Sequence, residues 1–405
     1  MTRIALISDI HYGRFSRTAE FSVPGEKIID ENTGGESLKE GMVSLLKDEN
    51  IDYLCVAGDL TSLGSPQEFA YCEDLILDIA EKLGIQEENI LLGLGNHDID
   101  WNITELYANF NNENADFPIE MVKDQYRRIA ASASLINLKR IAAPSRKGPA
   151  PFSGIVENDN FVMFVLNTGW CCTRDEASRP GKLDTQQLEW FEKEAAKYKD
   201  VSKWKVILMH HHPFNYTYPV VCPDYSTLQE GSNFLDIAGK NGFNLVIHGH
   251  RHHPRAETTW KSGWDHPITF VCAGSFAVNA SHRNAGSIPN TLHIIELTDE
   301  VGTVRLRNFQ HSAKGWIPFL NNCDETPLDG EMLFGKLFKP EEITQAIEEL
   351  PENEVLQWEK LNECLKFMPY EALNKRISTN LPSSVKMIGR FPETVILYKK
   401  GGGTQ

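Results

Sequence analysis

The sequence predicts an α/β fold in which a second sheet packs on the first. Three observations carry this. Apolar runs of strand length alternate with amphipathic runs of helical length as far as about Pro254. Beyond that point strand-like runs follow one another without helices between them. Five of the apolar runs end in clusters of His, Asp and Asn. Strands that alternate with helices are buried on both faces, so they read as continuous rather than alternating apolar segments.

In chain order the expected strands are RIALIS, DYLCVAG, NILLGLG, FVMFVLN, KVILMH and NLVIHG. Between them lie the helical runs ESLKEGMVSLLKDE, SPQEFAYCEDLILDIAEKL, DTQQLEWFEKEAAKY and SNFLDIAGKN. Ser65-Pro66 places an N-cap before a proline at the first helical position. Asp184 before Thr185 and Gln187 approximates a capping box. After Pro254, PITFVCAGSFAV, TLHIIELT and GTVRLRNFQ read as the strands of the second sheet. After about Lys314 the pattern changes again. KPEEITQAIEEL and NEVLQWEKLNECLKFM read as helices and ETVILYKK as a closing strand. The expected organisation is a main domain over 1–314, an accessory helix/strand module over 315–400 and a disordered tail, GGGTQ, over 401–405.

Composition narrows the function. The chain has 405 residues, 41% hydrophobic and 24% charged, as in an ordinary soluble globular protein. Its formal net charge is −16, from 40 basic and 56 acidic residues. That argues against non-specific nucleic-acid binding, which draws its affinity from a basic face. It leaves room for an enzyme whose metal ions supply local positive charge. The first residues, MTRIALISDIHYG, read directly as a strand and not as a leader. Apolar runs such as FVMFVLNTGW fall short of the ~20 residues that span a bilayer. Eight cysteines are scattered without a CxxC pair, which suits reduced structural thiols. These points predict a cytoplasmic protein with no membrane association, and the oligomeric state stays open. Long irregular stretches at about 12–36, 99–117, 140–151, 169–183 and 211–231 mark functional loops, since loops this long are uncommon in compact domains.

The polar clusters follow most directly from the strands. IALISDIHYG ends in Asp9 and His11, YLCVAGDLTS in Asp59, and LLGLGNHDID in Asn96, His97 and Asp98. KVILMHHHPF ends in His210, His211 and His212, and NLVIHGHRHH in His248, His250, His252 and His253. The C-terminal ends of strands in an α/β sheet face the ligand crevice, so the five clusters should converge. Imidazole and carboxylate together suit transition metals of intermediate hardness such as Mn, Fe or Zn. No thiolate stands at these ends, which argues against a structural zinc site. Asp9, His11, Asp59, Asn96, one histidine of 210–212, His250 and His252 make seven donors. One metal rarely takes seven such groups. Two metals sharing a carboxylate can.

The set Asp9-x-His11, Gly58-Asp59, Gly95-Asn96-His97-Asp98, His210-His211-His212-Pro213 and Gly249-His250-Arg251-His252 resembles the calcineurin-like metallophosphoesterase superfamily. The likeness covers residues 1 to about 311. PGKLDTQQLEWFEKEAA is also similar to a segment of the class that includes bacterial cyclic-AMP phosphodiesterases and purple acid phosphatases. The resemblance implies a four-layer αββα sandwich of two mixed sheets flanked by helices. It implies two divalent or trivalent transition-metal ions, with Asp9, His11 and His252 on the first, Asn96, His250 and one histidine of the triplet on the second, and Asp59 as bridge. His210 is chosen from the triplet because it directly follows the strand. His211 is the alternative, because many relatives carry histidine two residues before the proline. His97 matches the histidine that contacts the ester, and Asp98 closes the turn on backbone amides.

The expected function is hydrolysis of a phosphodiester of nucleotide or cyclic-nucleotide type. A metal-bridging hydroxide attacks and His97 assists the leaving group. The alternatives are a phosphomonoesterase, a nuclease or a scaffold without catalysis. The substrate is a phosphorylated small molecule or nucleotide, and Arg174, Arg179 and Arg251 are open to either a phosphate-binding or a surface role.

Overall fold

The computed structural model describes residues 1–28, 31, 36–100, 138, 140–172, 180–215, 226–264, 266–282, 288–298, 302–320, 328–335, 338–366, 368, 370–391 and 393–399. The 401–405 tail, most of the 99–117 stretch and both Arg174 and Arg179 lie outside them. The strands are β1 (Thr2–Ile7), β2 (Tyr53–Ala57), β3 (Ile90–Gly93), β4 (Arg146–Lys147), β5 (Gly154–Glu157), β6 (Phe161–Val165), β7 (Trp204–Leu208), β8 (Leu245–His248), β9 (Arg255–Thr259), β10 (Ile268–Cys272), β11 (Thr291–Leu297), β12 (Val304–Ser312), β13 (Gly315–Pro318), β14 (Glu331–Phe334), β15 (Val355–Leu356), β16 (Val385–Ile388) and β17 (Val395–Lys399). The helices are α1 (Leu38–Leu46), α2 (Pro66–Leu83), α3 (Thr185–Ala195), α4 (Gly231–Lys240), α5 (Pro340–Glu348), α6 (Glu363–Lys366) and α7 (Tyr370–Asn380).

Among the described residues one sheet has the order β13-β12-β11-β1-β2-β3, with β14 also on β12, and a second has the order β4-β5-β6-β7-β8-β10-β9. Both are mixed. β1, β2 and β3 are parallel while β11 runs antiparallel to β1. β6, β7, β8 and β10 are parallel while β5 and β9 are antiparallel. Alternate residues of each central strand enter different cores. Ile4 and Leu6 join Val206, Leu208, Leu245 and Ile247 between the sheets. Ala5 and Ile7 face α1 and α2 through Leu38, Met42, Phe69 and Ile76. Val246 and Ile207 face α3 and α4 through Phe191 and Phe234. The layers are therefore helix, sheet, sheet, helix. This is the expected αββα sandwich, and its period-two partition explains why the strands read as unbroken apolar runs.

The helix starts follow the sequence signals. Ser65 accepts from the Glu68 N–H and Glu68 answers to the Ser65 N–H, with Pro66 at the first position of α2. Asp184 caps α3 by accepting from the Gln187 N–H. Capping of this kind satisfies donors that a helix start leaves orphaned.

Three expectations change. The second sheet begins with β4 and β5 rather than after Pro254, and β11 and β12 return to the first sheet beside β1. The apolar pattern identifies strands but not their partners. The division at 314/315 falls within the β12–β13 hairpin, and β13 and β14 both pair with β12, so residues 315–318 and 331–334 belong to the first sheet. The run NEVLQWEKLNECLKFM is not one helix. It gives β15, a 3-10 turn at Trp358–Lys360 and then α6. Val355 and Leu356 pair with β17, and the Asn362 side chain accepts from the Cys364 N–H, starting a new turn instead of continuing an old one. β15, β17 and β16 form a small sheet over a cluster that includes Leu365, Leu373, Ile377, Val395 and Leu397.

No helix among the described residues is long and apolar enough to cross a membrane.

Candidate metal centre

Pairing between β1 and β2 continues past the strand ends, with Asp9 N–H donating to Gly58 O (3.0 Å) and His11 N–H to Asp59 O (3.0 Å). Here the backbone leaves the extended path. Asp9 (φ 51°), His11 (48°), Asp59 (51°), His250 (76°) and His252 (52°) are all left-handed. Side chains other than glycine rarely take that region, Asp and His less rarely than most, and such residues gather at functional sites. Glycines make room beside them. A Cβ at Gly95 would lie 2.0 Å from Asp59 Oδ1, one at Gly249 2.4 Å from Asp9 Oδ2, and one at Gly58 2.4 Å from His210 Nδ1. Sequence reasoning overlooked this role, although the signal was present as a glycine immediately before three of the five clusters.

The clusters converge. One ligand atom each from Asp9, His11, Asp59 and His252 lie within 4.8 Å of one another, and so do atoms from Asp59, His210 and His250. Asp59 is common to both groups. Its Oδ2 is 3.3 Å from His11 Nε2 and 3.1 Å from His210 Nε2. Asp9 Oδ1 is 3.0 Å from His252 Nε2. His210 Nδ1 sits 2.8 Å from Ala57 O, which directs Nε2 toward Asp59. The His210 Nε2 atom also lies 3.2 Å from His250 Nδ1. His211 turns elsewhere, with its Nδ1 2.8 Å from Thr168 Oγ1. Asn96 is buried at the start of the 3-10 turn Asn96–Asp98, and the next N–H, of His97, donates to Asp59 Oδ1 at 2.9 Å.

Two buried carboxylates define the electrostatics. Among the described residues only imidazoles pair with Asp9 and Asp59, and no lysine or arginine does. Burial alone would raise the Asp9 carboxyl, but His252 and His11 hold it well below the usual range. Asp59 is lowered in the same way, chiefly by His210, against its own burial. The imidazoles respond. Burial pushes His11 down, but Asp59 outweighs it and raises His11 to about 10. His210 is raised to about 9 by Asp59 against burial. His11 Nδ1 and Nε2 are both buried without a hydrogen-bond partner. Buried carboxylates ringed by imidazoles, with the Ser8 hydroxyl on Asp9 Oδ2 (2.6 Å) and one imidazole unsatisfied, are a donor set that fits transition-metal cations.

The family model for calcineurin-like phosphoesterases matches residues 2–254. The chain belongs to that family. This phosphoesterase accordingly has a dimetal-type site that includes Asp9, His11, Asp59 and His252, in a family of hydrolases that act on phosphoric esters. It is similar in fold to a dimetal phosphatase from Danio rerio, at 13% identity and a TM-score of 0.43, over 78% of this chain and 98% of that one. It is also similar to a purple acid phosphatase of yellow lupin, Lupinus luteus, at 12% identity and a TM-score of 0.47, over 76% of this chain and 51% of that one. A protein of Staphylococcus aureus named as a candidate 5′-nucleotidase aligns at 13% identity and a TM-score of 0.37, over 78% of this chain and 52% of that one. No curated protein matches the chain.

In the phosphoesterase the turn after β3 is held from both sides. Asp98 Oδ2 accepts from the Gly95 N–H (2.9 Å) and Oδ1 from the Thr61 N–H (3.0 Å), the turn-closing part expected of it. Burial, with Asp59 nearby, raises the Asp98 carboxyl to about 6. His97 Nδ1 lies 2.9 Å from Ser62 O, and burial lowers its pKa to about 4. His97 is therefore neutral at neutral pH, with its proton on Nδ1. His248 is lowered to about 3 by burial, so it too is uncharged. Arg251 is buried, at 5% exposure, and has no surface role. The PGKLDTQQLEWFEKEAA segment acts as a brace. Gln187 accepts from the Asn167 N–H (2.9 Å) and donates to Asn167 O (3.1 Å). A Cβ at Gly181 would strike His211 at 2.5 Å, so that glycine lets the backbone at 181 pack against His211.

Proposed function

We propose that the chain is a dinuclear metal-dependent phosphodiesterase acting on esters of nucleotide type, cyclic nucleotides among them. The observation that carries this is the pair of donor groups that share Asp59. Asp9, His11 and His252 would hold one ion, Asn96, His210 and His250 the other, and Asp59 both. The nitrogen and oxygen donors suit Mn, Fe or Zn. When bound, such a pair supplies Lewis-acid charge for phosphoryl oxygens and acidifies water. Two divalent cations against two carboxylates leave the crevice positive, so it attracts phosphate despite the acidic chain. The complete donor set weighs against a scaffold without catalysis.

The chain's own residues do the rest. His97 is fixed by Ser62 O and by its N–H to Asp59, and its ring stands 4.6 Å from that of His11. Its Nδ1 is committed to Ser62, so Nε2 is the atom that meets the ester. His97 is neutral before substrate binds, so the proton it would pass to the leaving oxygen is one taken up from solvent at Nε2 as the anionic ester binds there. A reducing, cytoplasmic setting is part of this reading, and the buried free thiols of Cys55, Cys72 and Cys272 support it.

The test is metal content together with turnover. Protein purified without chelators and reconstituted with Mn²⁺ should carry close to two equivalents. It should hydrolyse bis(p-nitrophenyl) phosphate faster than p-nitrophenyl phosphate. Less than about 0.2 equivalents would defeat the reading, and a faster monoester would replace it with a phosphomonoesterase.

A further inference from the structure

Beyond the His11 turn the loop carries Arg14 and Phe15. The Phe15 ring lies against both His97 and His11, 5.8 Å from the His97 ring at 88° and 6.1 Å from the His11 ring at 67°. Its backbone is tied on both sides, with its N–H donating to Ser62 Oγ (3.2 Å) and its carbonyl accepting from the Asn279 N–H (3.0 Å). Ser62 is the residue whose carbonyl fixes His97 and whose hydroxyl donates to His11 O (2.7 Å). The ring is thus anchored to the same loop that sets the site. Arg14 stacks on it, with the guanidinium carbon 4.6 Å from the ring centroid. Arg14 is exposed, and among the described residues no carboxylate pairs with it. The chain has a net charge of −16, yet among the described residues this ring-held cation has no acidic partner. Stacking on a ring lets guanidinium keep its N–H fork free for an anion.

We propose that Arg14, held by Phe15, is a specificity-determining residue that binds a second anionic group of the substrate, a phosphate on the part that does not react. This rests on the nucleotide-ester reading and sharpens it: the preferred substrate carries two phosphates, one at the metal centre and one at Arg14. The guanidinium carbon is 4.6 Å from the Phe15 ring centre, and that centre is 5.8 Å from the His97 ring, so Phe15 links an exposed cation to the histidine expected to meet the ester. Charge-assisted, forked hydrogen bonds to phosphate are the strong class of such contacts.

The experiment separates binding from turnover. The Mn²⁺-loaded full chain is titrated by calorimetry with thymidine 5′-monophosphate and with the thymidine bisphosphate that carries a phosphate at each end of its sugar. Wild type should bind the bisphosphate about tenfold more tightly. Arg14→Ala should erase that preference, Arg14→Lys should keep part of it, and Phe15→Leu should reduce it by loosening the guanidinium. No preference in wild type, or an undiminished one in Arg14→Ala, overturns the proposal. The same nucleotides as p-nitrophenyl esters then report turnover. Should neither ester be cleaved while the calorimetric preference depends on Arg14, the diesterase reading fails and the Arg14 site stands.

Discussion

The first sheet brings Asp9, His11, Asp59, Asn96 and His97 to the crevice, whereas the second brings His210, His250 and His252. All the carboxylates come from one side, and the other offers only neutral or titratable nitrogen. Each close donor group mixes the two: Asp9, His11 and Asp59 need His252, and Asp59 needs His210 and His250. The first sheet supplies three donors of one group, but neither group is complete without the second sheet. The apolar layer between them, where Leu6 meets Leu208 and Ile247, is therefore a precondition of the chemistry. The comparison teaches that metal affinity here is coupled to sheet packing, as binding energy generally is where the ligands come from distant parts of the chain.

Asp59 is where the comparison breaks most completely, because it is the donor that both groups share. Asp59→Asn should lower turnover by about 10³-fold or more and release at least one metal, since a carboxamide bridges two cations poorly. Steady-state rates and elemental analysis check this, and near-normal rates with two metals bound would remove Asp59 from the shared position.

His97 stands on the carboxylate side with its ring Nδ1 against Ser62 O and its backbone N–H on Asp59. His97→Ala should keep both metals and lose about 10²–10⁴ in rate on an ester with an alkoxide leaving group. The loss should be much smaller on a p-nitrophenyl ester, whose phenolate leaves without a proton. Equal losses on both esters would mean that His97 stabilises phosphoryl oxygens and does not deliver a proton.

On the nitrogen side, His210 faces Asp59 and His211 faces Thr168. His210→Ala should drop metal content from two equivalents toward one, while His211→Ala should leave it near two. The reverse pattern would move the assignment one residue along the chain.

The smallest effect is in protons. In the metal-free protein His11 is raised to about 10 and His210 to about 9, both above the ordinary 6.5. A raised imidazole contributes stability that is full below pH 6.5 and is lost as pH climbs through its folded value. At pH 8 both rings are therefore protonated until metal displaces the protons. Calorimetry in two buffers of different ionisation heat should find up to about two protons released per chain on metal saturation, and about one in His11→Ala. No release would show that both rings are already neutral.

Much of this architecture was legible in the residues. Strand ends announced themselves because a polar residue cannot continue a run buried on both faces, and Ser65-Pro66 marked its helix start. The convergence of Asp9, Asp59, His210 and His252 followed from a single rule about which end of a strand faces a crevice. Partnership between strands was not legible. β11 reads as well beside β10 as beside β1, because both settings bury the same Leu292, Ile294 and Ile295. The break in NEVLQWEKLNECLKFM was hidden because Val355 and Leu356 also suit a helix and only the pairing with β17 decides otherwise. His210 and His211 differ by one residue in sequence, but by the choice between Ala57 O and Thr168 Oγ1 as the anchor for the ring, which only the fold can show.

The left-handed backbone at Asp9, His11, Asp59, His250 and His252 has an evolutionary consequence. Each such residue costs about 1 kcal/mol that glycine would not pay, and a whole domain is stable by only about 5–15 kcal/mol. At Asp9, His11, Asp59 and His252 the ion pairs of the side chains offset that cost, but burial holds the His250 imidazole neutral. A library of this chain selected for heat resistance alone should therefore drift toward glycine at His250 first, and its survivors would be enriched in chains with a weakened second metal site.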